Sequence, residues 1–186
     1  MNNKIKCYIV SGFLGSGKTT HLLNQTKEWI KNGKKCAVIV NEISEFGVDN
    51  IEYANNGMEV TELFDGCICC SMNAGLHTAV DMLLKDFNVD LICIEPSGVA
   101  DIKGVLAILK DCGLQRDEIY NVMIIDAVRI GMLIEVIGPL TETGIQNADK
   151  VIISKVGLAP PEDVQKSHDF INSQQPGVEI EESQVD

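Results

Sequence analysis

Apolar runs of strand length recur along the chain, each followed by a polar or glycine-bearing turn and then by apolar residues at helical spacing. Cys7-Tyr8-Ile9-Val10, Cys36-Ala37-Val38-Ile39-Val40, Leu91-Ile92-Cys93-Ile94, Val122-Met123-Ile124-Ile125 and Val151-Ile152-Ile153 are unbroken, the pattern of strands covered on both faces. Met58 to Leu63 alternates and predicts a short strand, and Val178-Glu179-Ile180 predicts an edge strand. Leu22, Leu23, Thr26, Trp29 and Ile30 mark a first helix, with Gly33 as its C-terminal cap. Leu76, Val80, Leu83, Leu84 and Phe87 mark a second; Ile102, Val105, Leu106 and Leu109 mark a third, capped by Asp101 and stopped by Gly113. Val128 to Ile137 predicts a helix that halts at Gly138-Pro139, with a further helical piece to Ala148. Pro160-Pro161-Glu162 opens a last helix bearing Val164, Phe170 and Ile171. The polar stretch from Asn41 to about Asn56 reads as a mobile loop, and Cys67 to Ser71 as a turn.

Buried strands alternating with amphipathic helices specify an α/β fold, a doubly wound and mostly parallel sheet in a three-layer sandwich. Ligands of such sheets sit beyond the C-terminal ends of the strands. Gly12, Asn41, Glu95, Asp126 and Ser154 each follow directly on an apolar strand. They are therefore predicted to converge on one site.

One domain over residues 1–186 is the expectation for this length, with 45% hydrophobic and 5% aromatic composition. A formal net charge of −12 opposes nucleic acid and anionic membrane surfaces as partners. No apolar run approaches the roughly 20 residues that span a bilayer, and Met1-Asn2-Asn3-Lys4 leads straight into a strand; a cytoplasmic protein is expected. Seven cysteines, an odd number, disfavour a disulfide framework.

The strongest chemical signal is Gly12-Phe13-Leu14-Gly15-Ser16-Gly17-Lys18-Thr19-Thr20, the pattern of a phosphate-binding loop between strand and helix. Gly12, Gly15 and Gly17 let the backbone curl so that successive N–H groups face phosphate oxygens. Lys18 reaches the β- and γ-phosphates, and the Thr19 hydroxyl ligates Mg²⁺. The positive end of the helix that starts here adds to the anion site.

Cys67, Cys69 and Cys70 crowd into four positions. Thiolates are soft ligands, so this triplet predicts a site for Zn²⁺ or Co²⁺ with an open position suited to transfer. Glu42 and Glu45 are candidate metal ligands or Mg²⁺ sensors, a solvated loop carboxylate being the competing reading for Glu45. Cys7, Cys36, Cys93 and Cys112 are expected to pack in the core. His21, His77 and His168 read as helix-surface residues, and Asp126 reads as the cap of the helix after it.

With these motifs in order, the chain resembles the CobW-type metallochaperone GTPases, relatives of HypB and UreG with a SIMIBI-like fold. The phosphate loop, Asn41-Glu42 followed by Glu45 and Asp49, Cys67-Ile68-Cys69-Cys70, and Glu95-Pro96-Ser97-Gly98 carry the resemblance. It implies a nucleotide-hydrolysing metallochaperone, and with no arginine finger evident in the sequence slow intrinsic turnover is expected. Ser154 and Lys155 would lie at the base, Glu95 would hold a water of the Mg²⁺ shell, and the Gly98 N–H would meet the γ-phosphate. The implied partners are nucleotide, a divalent metal, a client metalloprotein or cofactor-dependent enzyme, and a second copy of the chain.

Two departures stand out. The family reads guanine with Asn-Lys-x-Asp, whereas this register gives Ser154-Lys155-Val156-Gly157. Gly157 has no carboxylate to accept from guanine N1 and N2, which loosens the expected preference for GTP and keeps ATP as an alternative. The family also carries a C-terminal domain, and this chain ends near that boundary. Two other readings are a metal-binding regulatory or storage module with a vestigial nucleotide site, and a P-loop ATPase.

Overall fold

The computed structural model describes residues 6–40, 59–62, 71–87 and 89–184, with the backbone alone described at 59–62, 71–74 and 86. The predicted loop from Asn41, the predicted turn from Cys67 as far as Cys70, and with them the candidate ligands Glu42, Glu45, Cys67, Cys69 and Cys70 lie outside the described residues.

Among the described residues seven strands form one sheet: β1 Cys7–Gly12, β2 Cys36–Val40, β3 Glu59–Glu62, β4 Leu91–Glu95, β5 Ile119–Asp126, β6 Lys150–Ser154 and β7 Glu179–Glu182. Their spatial order is β3-β2-β4-β1-β5-β6-β7, and every pairing is parallel. The continuous apolar runs predicted this, because a parallel strand buries both of its faces. Among the described residues five α-helices lie between the strands: α1 Lys18–Lys31, α2 Ser71–Asp86, α3 Ile102–Asp111, α4 Ile130–Gln146 and α5 Pro161–Gln174.

Right-handed crossovers decide which face each helix covers. From β1 the chain steps towards β3 through α1, which packs Leu22, Leu23 and Trp29 against Tyr8, Val10, Val38 and Cys93. Every described step in the other direction runs over the opposite face. There α2 and α3 cover Cys7, Ile9, Ile39, Ile92 and Ile94, and α4 and α5 cover Met123, Ile125, Val151 and Ile153. The direction of winding thus changes at β1 and β5, where a crevice opens beyond the strand ends.

Local chemistry fixes the helix limits. Asp101 accepts a hydrogen bond from the Lys103 amide at 3.0 Å and starts α3. Pro139 lies inside α4 and has no N–H to continue the ladder, so Ile137 leaves helical geometry (φ −126°, ψ 27°) and two helical pieces follow one another through a kink. The Thr141 hydroxyl donates to the Ile137 carbonyl at 3.1 Å.

Some side chains depart from expectation. Leu84 and Phe87, expected on the core face of α2, are exposed because Ala79 and Leu83 fill that stripe. Cys7, Cys36 and Cys93 are buried, and Cys112 is half-buried with its thiol near the His77 carbonyl at 3.7 Å. His77 is exposed, as expected, whereas His21 is half-buried and hydrogen-bonded to the Tyr8 hydroxyl at 2.9 Å. His168 is half-buried and pairs with Glu182 at 2.8 Å.

Candidate functional site

Parallel strands put all their C-terminal ends on one edge of the sheet, and the turns that leave β1, β4, β5 and β6 bring groups of the site together. β1 runs into the glycine-rich loop 12–17. Gly12 has φ of 145°, and a Cβ there would stand 2.5 Å from the Ile124 carbonyl oxygen and 2.9 Å from Ser16 Oγ. Glycine is thus required by conformation and by space. The Ser16 amide donates to the Phe13 carbonyl at 3.1 Å, which closes the curl. Gly17 takes the left-handed N-cap position of α1, and the exposed Gly15 forms the loop apex.

Lys18 begins α1 with its ammonium folded back under the loop, donating to the Phe13 carbonyl at 3.3 Å, and the residue is 3% exposed. The next side chain, Thr19, donates from Oγ1 to Glu95 Oε1 at 2.8 Å. Glu95 ends β4 and is fully buried. Thr20 is exposed on the first turn of the helix. Beyond Glu95 the chain doubles back at Pro96-Ser97-Gly98, and a Cβ on Gly98 would fall 2.5 Å from the Leu14 amide nitrogen. This close approach presses the Glu95–Gly98 turn against the loop.

From the other side, β6 delivers Ser154 and Lys155. The Ser154 hydroxyl donates to the Ser16 carbonyl at 2.8 Å, and Lys155 Nζ donates to the Gly15 carbonyl at 2.8 Å. Lys155 Nζ also stands 3.2 Å from Asp126 Oδ2. Asp126 does more than the predicted cap. Its Oδ1 accepts from the Val128 amide at 3.0 Å, while Oδ2 accepts from Arg129 Nε at 2.8 Å. Arg129 in turn donates from Nη2 to the Leu14 carbonyl at 2.6 Å and lies over the Phe13 ring, 5.5 Å from its centroid.

One buried carboxylate thus anchors two cations that hold the carbonyls of successive loop residues. With these carbonyls tied back and the Ser16 amide closing the curl on Phe13, the loop presents its backbone as an anion cradle. Arg129 was not legible as a site residue, since its i, i+3 spacing from Asp126 predicts the ion pair but not the reach to Leu14.

The donor set fits a nucleoside triphosphate with Mg²⁺. A buried ammonium and a looped backbone match phosphate oxygens, and the adjoining Thr19 hydroxyl and Glu95 carboxylate are hard oxygen donors of the kind Mg²⁺ takes. The buried Ser16 hydroxyl has no hydrogen-bond partner among the described residues, so the cradle retains a polar group for a ligand. Among those residues no group of three or more His, Cys, Asp or Glu side chains could hold a metal ion. No described helix is long and apolar enough to cross a membrane.

Fold and site together define a P-loop nucleotide-binding domain. The model of the CobW/HypB/UreG nucleotide-binding domain matches residues 6–181, and the chain belongs to that family. It is 28% identical over 198 residues to the zinc chaperone YjiA of Escherichia coli, covering 99% of this chain and 60% of that protein. It is 37% identical over 101 residues to the zinc chaperone YeiR of the same organism, covering 54% of this chain and 30% of YeiR. The matched regions therefore span less than two thirds of the length of these relatives. Among solved structures, the hydrogenase maturation factor HypB from Archaeoglobus fulgidus superimposes with a TM-score of 0.65 at 20% identity, covering 97% of this chain and 81% of HypB. A Zn(II)-bound mutant of the YjiA GTPase gives 0.62 at 23% identity, over 92% of this chain and 55% of that one. These likenesses establish the fold.

Proposed function

We propose that residues 1–186 form one nucleotide-binding domain of a GTP-dependent metallochaperone. Its nucleotide state governs capture and release of a thiophilic divalent metal, zinc or cobalt, at Cys67, Cys69 and Cys70. The observation that carries the reading is the convergence of Lys18, Thr19, Glu95 and Lys155 on one phosphate loop, in a family member whose relatives are named zinc chaperones.

In this reading the backbone amides of Gly15, Gly17, Lys18 and Thr19 bind phosphate oxygens, the Ser16 amide staying with the Phe13 carbonyl, and the Lys18 ammonium offsets charge on the β- and γ-phosphates. Thr19 would hold Mg²⁺ directly and Glu95 through a water of its shell; when bound, the ion neutralises charge gathering on the β/γ-bridging oxygen. The Gly98 N–H donates to the γ-phosphate. Loss of that phosphate releases the 95–98 turn, which is how hydrolysis is reported to the rest of the chain. Glu42 and Glu45 link the metal site to this event. Arg129 is engaged with Asp126 and Leu14, so intrinsic hydrolysis is slow and a partner accelerates it. Free thiols at Cys7, Cys36, Cys93 and Cys112 suit a reducing cytoplasm. The partners are a client metalloprotein and a second copy of the chain, not nucleic acid or membrane.

The test is GTP and ATP hydrolysis by the purified protein, with and without one equivalent of Zn²⁺ or Co²⁺, beside Lys18→Ala and Cys69→Ser. Hydrolysis that depends on Lys18 and responds to metal only when Cys69 is present supports the reading. Metal binding without any nucleotide binding overturns it in favour of a metal-binding regulatory module.

A further inference from the structure

Gly157 occupies the position at which the family motif carries the carboxylate that reads guanine, and its side-chain direction is already filled. A Cβ built on Gly157 would fall on Gln184 Oε1, with Gln184 Cδ 3.3 Å and Nε2 3.8 Å away. This contact joins two segments 27 residues apart, and the backbone holds them in register. The Ser183 amide donates to the Ile153 carbonyl at 2.8 Å, and the Val156 amide donates to the Ser183 carbonyl at 3.3 Å. The end of β7 is therefore fastened beside the turn that follows β6. That turn is fixed to the phosphate loop in its own right, through Ser154 on Ser16 and Lys155 on Gly15. Lys155 adopts φ of 59°, which bends the chain so that Nζ reaches the loop while Val156 and Gly157 continue towards Gln184.

We propose that Gln184 is the base-edge residue of this chain, its carboxamide standing where a carboxylate at position 157 would stand, and that this exchange weakens discrimination between guanine and adenine. The inference rests on the nucleotide-binding reading above and deepens it. A carboxylate only accepts hydrogen bonds, so it matches the N1–H and N2–H₂ donors of guanine and repels the N1 lone pair of adenine. A carboxamide offers one acceptor and one donor, and turning it over exchanges them. In one orientation it accepts from N6–H₂ and donates to N1 of adenine. In the other it accepts from N1–H and donates to O6 of guanine. The nearby Lys155 stem can lie along either purine face, because apolar contact does not distinguish them. The site therefore binds purine triphosphates through a neutral, reversible pair instead of a guanine-selective anion.

The experiment is equilibrium displacement of a fluorescent mant-GDP probe by GTP and by ATP, on the full chain with Mg²⁺. The wild-type protein is expected to bind the two within about tenfold of each other. Gln184→Glu keeps the length of the side chain but makes it an acceptor only, and should raise the preference for GTP by about tenfold or more. Gly157→Asp, whose carboxylate displaces the flexible Gln184 side chain, should do the same by the other route. Gln184→Ala should weaken both nucleotides while leaving their ratio near unity. If the wild-type protein already prefers GTP more than about a hundredfold and Gln184→Glu leaves that ratio unchanged, the inference fails while nucleotide binding stands. If the protein binds neither nucleotide, both the inference and the reading beneath it fail.

Discussion

At the phosphate end of the cleft, one uninterrupted stretch from Gly12 to Thr20 supplies nearly every group, with Glu95 and Gly98 added from a single further turn. At the base end no stretch is complete. Ser154 and Lys155 fasten the β6 turn to the loop, yet the position proposed to read the base is a glycine and the polar group over it comes from beyond β7. The difference is one of constraint. Phosphate binding needs a backbone shape, which a local run of glycines can specify. Base recognition needs a few polar atoms at one spot, and any chain segment that reaches the spot can bring them.

The two ends should therefore respond differently to substitution. The largest effect is expected for Lys18→Ala, which removes the buried ammonium and should lower affinity for GTP and ATP alike by at least about a hundredfold. Isothermal titration with both nucleotides checks this, and a loss confined to one of them would mean that Lys18 belongs to the base end. Asp126→Asn strikes the hub that serves both ends. Arg129 and Lys155 would lose the buried carboxylate between them, a loss on the order of 3 kcal/mol in urea unfolding. A cost under about 1 kcal/mol would show that the two cations need no common anchor.

Gly12→Ala should be milder, about 2 kcal/mol in thermal or urea unfolding, from a Cβ forced against the Ile124 carbonyl at φ of 145°. It should also weaken both nucleotides equally, because it deforms the cradle and leaves the base untouched. Normal stability with unequal loss would contradict the division drawn here.

The smallest effect belongs to His21, in the first turn of α1, whose imidazole bonds the Tyr8 hydroxyl. Burial holds its imidazole below the ordinary 6.5, with Glu181 opposing and Lys150 reinforcing that shift. The unfolded chain therefore binds a proton there that the folded chain does not. Stability from this group is full above pH 6.5 and is lost as the pH falls from there towards the folded-state value. Urea midpoints from pH 7.5 to 5 should show that slope, and His21→Phe should flatten it. An unchanged slope would assign the acid sensitivity to other groups.

What could be read from the sequence divides along the same line as the two ends. Cys36 to Val40 and Leu91 to Ile94 declared buried parallel strands because no polar residue interrupts them, and the glycine pattern before Lys18 declared the loop because its spacing is its geometry. Local signals also located the third helix, between Asp101 and Gly113. Leu84 and Phe87 misled, since helical spacing alone does not say how wide the buried stripe is. Asp126 was legible as a cap because capping is local. The pair with Arg129 follows from its i, i+3 spacing, but Lys155 lay out of sight, 29 residues further on.

The sequence by itself determined the order of strands and helices, the phosphate loop, the Thr19–Lys18 pair and the missing carboxylate at position 157. These follow from hydrophobic period, glycine conformation and side-chain chemistry, all of which act over a few residues. Tertiary structure alone decided that Glu95 meets Thr19, that Arg129 and Lys155 brace Leu14 and Gly15 from one buried aspartate, and that Gln184 lies over Gly157. Each of those contacts joins residues from different strand ends, and a parallel sheet brings such ends together only after its whole order of strands is in place.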